Sequence, residues 1–186
     1  MNKISLIIPY LEIDEGKKEL LTKLLDSVYG QYDELLLMTE KTDCLAKEIN
    51  KGMRQAKGDY LVVSNDDLFM LEGSLRELCD PNAVTVPKVI GGIDKLFHGH
   101  MWCMPRSIYE DVGDMWEGYD GFYFDDSDYW MSIEAKGYPI IKRNDIVIAH
   151  PHPARTLTQL FKEGREEHNR KLFVERWGEE ALAKIR

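Results

Sequence analysis

Two short acidic segments have the composition of a metal or catalytic site. Asp66 and Asp67 directly follow the apolar run Tyr60–Val63, and adjacent carboxylates at the end of a strand suit a hard divalent cation, Mn²⁺ or Mg²⁺. The run Asp125-Asp126-Ser127-Asp128 precedes a segment with helical periodicity, where clustered carboxylates can raise the pKa of one member and so provide a general base. Each segment also has a structural interpretation, a turn for the first and a helix N-cap for the second.

Histidines near later strands are further candidates. His150 and His152 follow the apolar run Ile146–Ala149. A histidine that leaves a sheet edge can bind a metal ion or hydrogen-bond within a turn. His98 and His100 alternate as on a strand and could face the same crevice. The order of these features along the chain, more than any one of them, indicates an active site.

The elements that would position these groups follow from hydrophobic periodicity. Three short apolar runs in the first 65 residues predict buried strands, and the segments between them have the spacing of amphipathic helices. This alternation implies a parallel sheet with helical crossovers, whose ligands bind beyond the carboxyl ends of the strands. The polar segments at those ends, which we expect to line one crevice, are residues 10–14, 39–43 and 65–67.

The second half of the sequence is less regular. We predict helices near 73–79 and 107–113 and after Asp128, and strands near 83–86 and 146–149. The tail is predicted to be helical from Leu157, and the points at which that helix can break are Gly164 and Gly178.

These elements predict one α/β domain with a mixed, mostly parallel central sheet flanked by helices. We expect a catalytic domain over residues 1–153, made of a nucleotide-binding half, 1–67, and an acceptor half, 68–153. Residues 154–186 are expected to form a helical C-terminal extension packed on the same domain.

Composition limits the classes of function. The 186 residues suffice for one core. The net charge is −9, and residues 1–153 carry a net charge of −11 because residues 154–186 hold eight basic and six acidic residues. An acidic body repels phosphate backbones, so nucleic acid is not an expected partner, except through a modified base as an acceptor. No apolar run reaches the roughly 18 residues of a transmembrane span, and the first ten residues are too short for a signal peptide. Because the three cysteines are scattered, we expect reduced thiols and a cytoplasmic location.

In the order of its motifs the chain resembles the family 2 glycosyltransferases, which have the GT-A fold. The family's run N-x-G, A-x-G-E-Y and x-D-D is similar to Ile49–Asp67, and its F-E-D-x-D is similar to Phe124–Asp128. The likeness extends over residues 3–152 and includes further short matches at Pro9, Val112–Asp114, Ala135–Tyr138 and His150.

The resemblance implies a metal-dependent, inverting transfer of a sugar from a nucleotide-sugar donor, with a UDP-sugar favoured, to an acceptor hydroxyl. Asp67 would bind the Mn²⁺ or Mg²⁺ ion that bridges the donor's diphosphate, and His150 would be a further metal ligand. Asp126 would be the general base, and Asp125 beside it replaces a more usual Glu. The donor-binding residues would include Pro9 and Tyr10 beside the base, Glu40 at the N3–H of uracil, and Lys47 in the role of an arginine. Asn65 would also bind the donor, and Asp66 would face the ribose or assist at the metal.

Other functions stay open at this point. A metal-dependent phosphoesterase would use the acidic pairs with His150 and His152 around two cations about 3.5–4 Å apart. A non-catalytic module would bind a nucleotide sugar or a glycan without transferring it. The basic and apolar residues of the tail could touch an anionic membrane or a partner, but a helix packed on the body or at a homodimer contact is favoured because glutamates interrupt its basic face.

Overall fold

The computed structural model describes residues 2–10, 15–40, 42, 44–92, 94, 96–97, 99–121, 123–151 and 155–185, with the backbone alone over 155–164. The strands are β1 (Ile4–Pro9), β2 (Glu34–Met38), β3 (Tyr60–Ser64), β4 (Phe69–Glu72), β5 (Val84–Ile90), β6 (Met101–Pro105) and β7 (Ile140–Ala149). The helices are α1 (Glu15–Ser27), α2 (Leu45–Gln55), α3 (Leu75–Leu78), α4 (Arg106–Val112), α5 (Asp125–Ala135), α6 (Arg155–Trp177) and α7 (Glu179–Ile185).

The strands form a seven-stranded mixed sheet in the order β2-β1-β3-β6-β5-β7-β4. Strand β1 pairs in parallel with β2 and β3, as the alternation of apolar runs and helices predicts, and β5 pairs in parallel with β7. Strands β6 and β4 run antiparallel to their neighbours. The carboxyl ends of β1, β2, β3, β5 and β7 therefore lie at one edge of the sheet, together with the beginnings of β6 and β4.

Both faces of the sheet are covered, because successive residues of a strand point to opposite faces. In β1, Ile7 packs in a cluster with apolar side chains of α2, α4, α5, α6 and α7, whereas Leu6 and Ile8 pack in a second cluster with α1 and α3. Phe173 of α6 and Leu182 of α7 belong to the first cluster. The expected α/β architecture is confirmed. Among the described residues, no helix has the length and apolarity needed to cross a membrane.

The sheet must curl because the link between β3 and β4 is short. Strand order places β6, β5 and β7 between them, a distance of about 19 Å in a flat sheet with strands about 4.8 Å apart. The chain from Ser64 to Phe69 could span about 18 Å only if fully extended, and it turns at Asp66 and Asp67. The sheet therefore closes towards a half-barrel, and Leu68, fully buried, anchors the link inside it.

Several local predictions were wrong. Strand β2 is partly exposed rather than buried, since it is the edge strand next to β1. The antiparallel strands β4 and β6 were not predicted, and β7 begins at Ile140 rather than Ile146, because short or partly charged strands have little periodicity. Helix α6 is continuous through Gly164, so no break occurs there, whereas the predicted break at Gly178 is present, with a φ of 85°.

Candidate active site

The first acidic segment forms the turn between β3 and β4, and both of its carboxylates are buried. Lys17, in the first turns of α1, donates hydrogen bonds to both carboxylate oxygens of Asp66, at 2.6 and 2.7 Å. Burial raises the pKa of Asp66, while the charge of Lys17 opposes that rise. The Asp66 carboxylate is therefore neutralised by a protein cation.

Asp67 differs from Asp66 because it faces a histidine and not a lysine. Its Oδ2 lies 3.2 Å from Nε2 of His150, at the end of β7, without the alignment of a hydrogen bond. Its Oδ1 and both ring nitrogens of His150 are buried and have no hydrogen-bond partner among the described residues. Such groups cost about 1–3 kcal/mol each when left unsatisfied, so they fit a ligand that binds them, and a divalent cation suits a carboxylate with an imidazole.

Glycines and a second histidine surround His150. Its backbone N–H donates to Ile90 at the end of β5, and a Cβ placed on Gly92 would lie 2.8 Å from its Nδ1. The rings of His100 and His150 have centroids 4.4 Å apart, and Nδ1 of His100 lies 3.3 Å from Nδ2 of Asn65. Tertiary structure thus brings together side chains from the ends of β3 and β7 and from the start of β6.

The second acidic segment begins α5 after two strained residues. Tyr123 and Phe124 have φ angles of 88° and 71°, in the left-handed region that costs a non-glycine residue about 1–3 kcal/mol. Asp125 is buried and accepts a hydrogen bond from the backbone N–H of Tyr123 at 3.1 Å. Burial, with the nearby charge of Asp126, raises the pKa of Asp125 to about 7.

Asp126 is less buried than Asp125 and lies against the loop before β6. Its Oδ1 accepts a hydrogen bond from the backbone N–H of Ser127 at 2.8 Å. A Cβ on Gly99 would lie 2.8 Å from its Cβ and 2.9 Å from its Oδ2. Because His100 follows Gly99 directly, the carboxylate pair at Asp125 and Asp126 and the group around Asp67 meet at the same loop.

The third carboxylate of this segment is structural. Asp128 is almost fully buried and accepts hydrogen bonds from Nε of Arg176 at 2.7 Å, Nε1 of Trp177 at 2.8 Å and the hydroxyl of Tyr119 at 3.0 Å. Its charge is compensated by an arginine of α6, so that it binds the C-terminal helix to the start of α5. This contact was not predicted, because nothing local to Asp128 indicates a partner 48 residues away.

The residues predicted to hold the nucleotide lie in two places. Asn65 and Asp66 belong to the group just described. Glu40 is exposed and forms an ion pair with Lys51, and Glu40 and Lys47 line the same open groove of about 540 Å³ along α2. Pro9 pairs with Met38, and Tyr10 is buried and donates its backbone N–H to the carbonyl of that residue. Their roles in base binding stay predictions.

Other predicted residues are outside the described part of the chain, namely His98, His152, 11–14, 41 and 43. Within the described part, no three His, Cys, Asp or Glu side chains are arranged to hold a metal ion. The described residues would supply such a cation with two protein ligands, Asp67 and His150. Cations that bind nucleotides commonly take one or two carboxylates and complete their coordination with phosphate and water, so this pair fits such a site.

Comparison with known proteins adds the likeness of the whole fold. No protein-family model matches the sequence, and no curated protein matches it. Among solved structures, the chain is similar to the catalytic domain of Drosophila β1,4-galactosyltransferase 7 in complex with xylobiose, with 18% identity and a TM-score of 0.66 over 89% of this chain and 74% of that chain.

Two further structures are similar at comparable levels. GalNAc-T7 with UDP, GalNAc and Mn²⁺ has 12% identity and a TM-score of 0.73 over 97% of this chain and 50% of that one. The mannosyltransferase PcManGT from Pyrobaculum calidifontis with GDP-Man and Mn²⁺ has 17% identity and a TM-score of 0.61 over 86% of this chain and 59% of that one. The chain therefore spans only part of these two proteins. Its sheet order, its closure and these likenesses show that it has the GT-A fold, which these glycosyltransferases share.

Proposed function

We propose that this protein is a metal-dependent glycosyltransferase that moves a sugar, with inversion, from a nucleotide-sugar donor to an acceptor hydroxyl. The observation that carries the proposal is the buried pair of Asp67 and His150, whose Oδ1 and ring nitrogens have no hydrogen-bond partner in the part of the chain that the structure describes. It lies at the carboxyl edge of the sheet, where α/β proteins bind their ligands, and beside a second pair of carboxylates.

The residues divide the chemistry between two positions. Asp67 and His150 would hold Mn²⁺ or Mg²⁺, which when bound neutralises charge that develops on the leaving diphosphate. Asp126 would accept the proton of the acceptor hydroxyl, since its carboxylate is less buried than that of Asp125. Burial and the nearby charge of Asp126 raise the pKa of Asp125 to about 7, so this carboxyl keeps its proton to a higher pH than an exposed aspartate does. One carboxylate near the acceptor suffices for inversion by single displacement.

A UDP-sugar is the favoured donor. Glu40 follows β2 and is exposed beside Lys47 on an open groove, where a carboxylate would accept a hydrogen bond from the N3–H of uracil. A polar site that pairs with one base edge rejects other bases, because its groups are then left unpaired. The similar solved structures contain UDP in one case and GDP-Man in another, so the base has to be tested directly.

A thermal-shift and calorimetric screen tests this function. We expect UDP with Mn²⁺ to stabilise the protein more than GDP or ADP, and either component alone to stabilise it less. Asp67→Ala should remove the Mn²⁺-dependent part of UDP binding, whereas Glu72→Ala, at an exposed acid on β4, should behave like the wild type. Unchanged Mn²⁺-linked affinity in Asp67→Ala would refute the metal site, and equal shifts with the three nucleotides would refute the role of Glu40.

A further inference from the structure

Helix α6 contacts the chain both before and after Asp125 and Asp126, the two proposed catalytic carboxylates. Asn169 is fully buried, and its Oδ1 accepts a hydrogen bond from the backbone N–H of Asp120 at 3.0 Å. Its Nδ2 donates to the carbonyl oxygens of Asp120 at 3.0 Å and Tyr123 at 3.2 Å. One side-chain amide thus holds the backbone at two points just before Asp125.

The same face of α6 holds the residues that follow. Phe173, one turn after Asn169, packs on Phe124 with ring centroids 5.3 Å apart, and Arg176, a further turn on, binds Asp128. The Arg176 guanidinium also lies over the ring of Trp116, 4.1 Å from its centroid. Residues at positions i, i+4 and i+7 share one side of a helix, so these contacts act as a unit.

The segment that α6 holds is one that would not keep its shape alone. Tyr123 and Phe124 are both in the left-handed region, and such strain persists only where surrounding contacts over-determine the backbone. Asn169 bonds to the carbonyl of Tyr123, and Phe173 packs on the ring of Phe124. Without these contacts the two residues would relax towards ordinary φ angles and turn Asp125 and Asp126 away from their present positions.

We propose that α6 supports the two catalytic carboxylates and that Asn169 is a positioning residue, which holds Asp125 and Asp126 through the backbone of Asp120 and Tyr123. The inference rests on the proposed function in one respect, namely that these two carboxylates act on the acceptor. A side chain that fixes a reacting group without touching it affects turnover more than binding, because a misplacement of about 1 Å can cost about 10²-fold in rate.

Two variants of Asn169 and one control test the proposal. Asn169→Asp keeps the size and the acceptor but removes the donated hydrogen bonds to Asp120 and Tyr123, and Asn169→Ala also removes the one accepted from Asp120. Glu175→Ala changes an exposed residue of the same helix. Release of UDP from UDP-galactose, UDP-glucose or the UDP-N-acetylhexosamines with Mn²⁺ gives kcat and KM, and hydrogen exchange with mass spectrometry follows the amides of residues 123–129.

For both Asn169 variants we expect kcat to fall about 10²-fold with KM within about twofold. Exchange of the 123–129 amides should be about tenfold faster or more, because the lost hydrogen bonds no longer oppose local opening, while the rest of the sheet stays protected. Glu175→Ala should match the wild type in every measurement. If the Asn169 variants lose protection throughout the chain, Arg176→Lys takes their place. This variant keeps a positive charge beside Asp128 but loses the guanidinium that binds it.

The outcomes separate this inference from the proposed function. Wild-type protein that neither binds UDP with Mn²⁺ nor cleaves any of the donors would refute the proposed function, and the exchange experiment would still show whether α6 holds the segment. Unchanged exchange, or a normal kcat in Asn169→Asp, would overturn the inference itself.

Discussion

The buried aspartates of this site differ in how their charges are compensated, because each faces a different side chain. Asp66 is paired with Lys17, Asp128 with Arg176, and Asp67 faces His150 with one oxygen unsatisfied. Two of these three carboxylates are thus neutralised by side chains of helices, whereas Asp67 is the one that we propose binds a cation. At the scale of single residues, the partner of each acid decides its function.

Asp126 is the residue on which turnover should depend most. Asp126→Asn keeps the shape and the hydrogen bond from Ser127 but removes the basic oxygen, so we expect turnover to fall about 10²–10⁴-fold with donor and metal affinity nearly unchanged. Asp125→Asn should lower turnover by a smaller factor. Kinetics with the UDP-sugars that stabilise the protein, together with NMR of the product anomer, make the comparison. Near-normal turnover in Asp126→Asn, or retention of configuration, would mean that another group is the base.

The pH dependence of stability should report the raised pKa of Asp125. Between about pH 4 and pH 7 the folded state keeps a proton that the unfolded chain has lost, so this group's contribution to stability is present below pH 4 and is lost as the pH rises to about 7. The largest slope for one group is about 1.4 kcal/mol per pH unit. Asp125→Asn should remove this pH-dependent contribution. In urea unfolding, the free energy of unfolding of the variant should therefore rise relative to that of the wild type between about pH 4 and pH 7. A constant difference between the two proteins would show that the carboxyl has an ordinary pKa.

At the scale of elements, the loops at the carboxyl edge need small residues where the site is most crowded. The loop after β5 approaches His150 so closely that a Cβ on Gly92 would lie 2.8 Å from its Nδ1 and 3.2 Å from its Cβ. The loop before β6 approaches Asp126 in the same way at Gly99. Glycine is therefore required at these positions by close packing against the proposed ligand and the proposed base.

Substitution of Gly92 should act on metal binding through His150. Gly92→Ala should displace the imidazole and weaken binding of Mn²⁺ in the presence of UDP by about 10–100-fold, the usual effect of disturbing the support of a metal ligand. Gly137→Ala is the matched control, since its φ of 83° strains the backbone while no atom lies within 4 Å of the added Cβ. Calorimetry should show lower stability but unchanged Mn²⁺ affinity for the control. Equal affinity in the two variants would contradict a role for His150 as a ligand.

At the scale of the whole molecule, the tail helices share the core of the sheet. Phe173, Ala181, Leu182 and Ile185 are buried in the same cluster as Trp102 of β6. Because the tail helices share this cluster with the sheet, we expect them to unfold together with the sheet as one cooperative unit. The proposed division into a domain over 1–153 and an extension packed on it predicts the same behaviour.

A single unfolding transition is therefore expected. In urea, tryptophan fluorescence and far-ultraviolet circular dichroism should have the same midpoint, and Leu182→Ala should shift both equally, at a cost of about 2–5 kcal/mol. An earlier transition of helical signal alone, with unchanged fluorescence of the core, would mean that the tail is an independent unit. That result would also remove the physical basis for the positioning role of Asn169 in α6.

Much of the architecture could be predicted from local patterns. Apolar runs at β1, β2 and β3 and the helical spacing of α1 and α2 fix a parallel αβ unit, and such a unit places polar segments at its carboxyl edge. Asp66, Asp67 and His150 could be chosen as site residues for the same reason. These inferences hold because backbone geometry converts sequence spacing directly into strand and helix faces.

Tertiary structure decided which of those residues are available for chemistry. Lys17 meets Asp66 across 49 residues of sequence and Asn169 meets Asp120 across 49, and both contacts depend on strand order and on the curl of the sheet. Periodicity does not encode such long-range pairings, since many strand orders satisfy the same apolar pattern. The sequence alone therefore determined that acids would gather at one edge, and only the folded chain determined that Asp128 binds a helix while Asp67 keeps an unsatisfied oxygen beside His150.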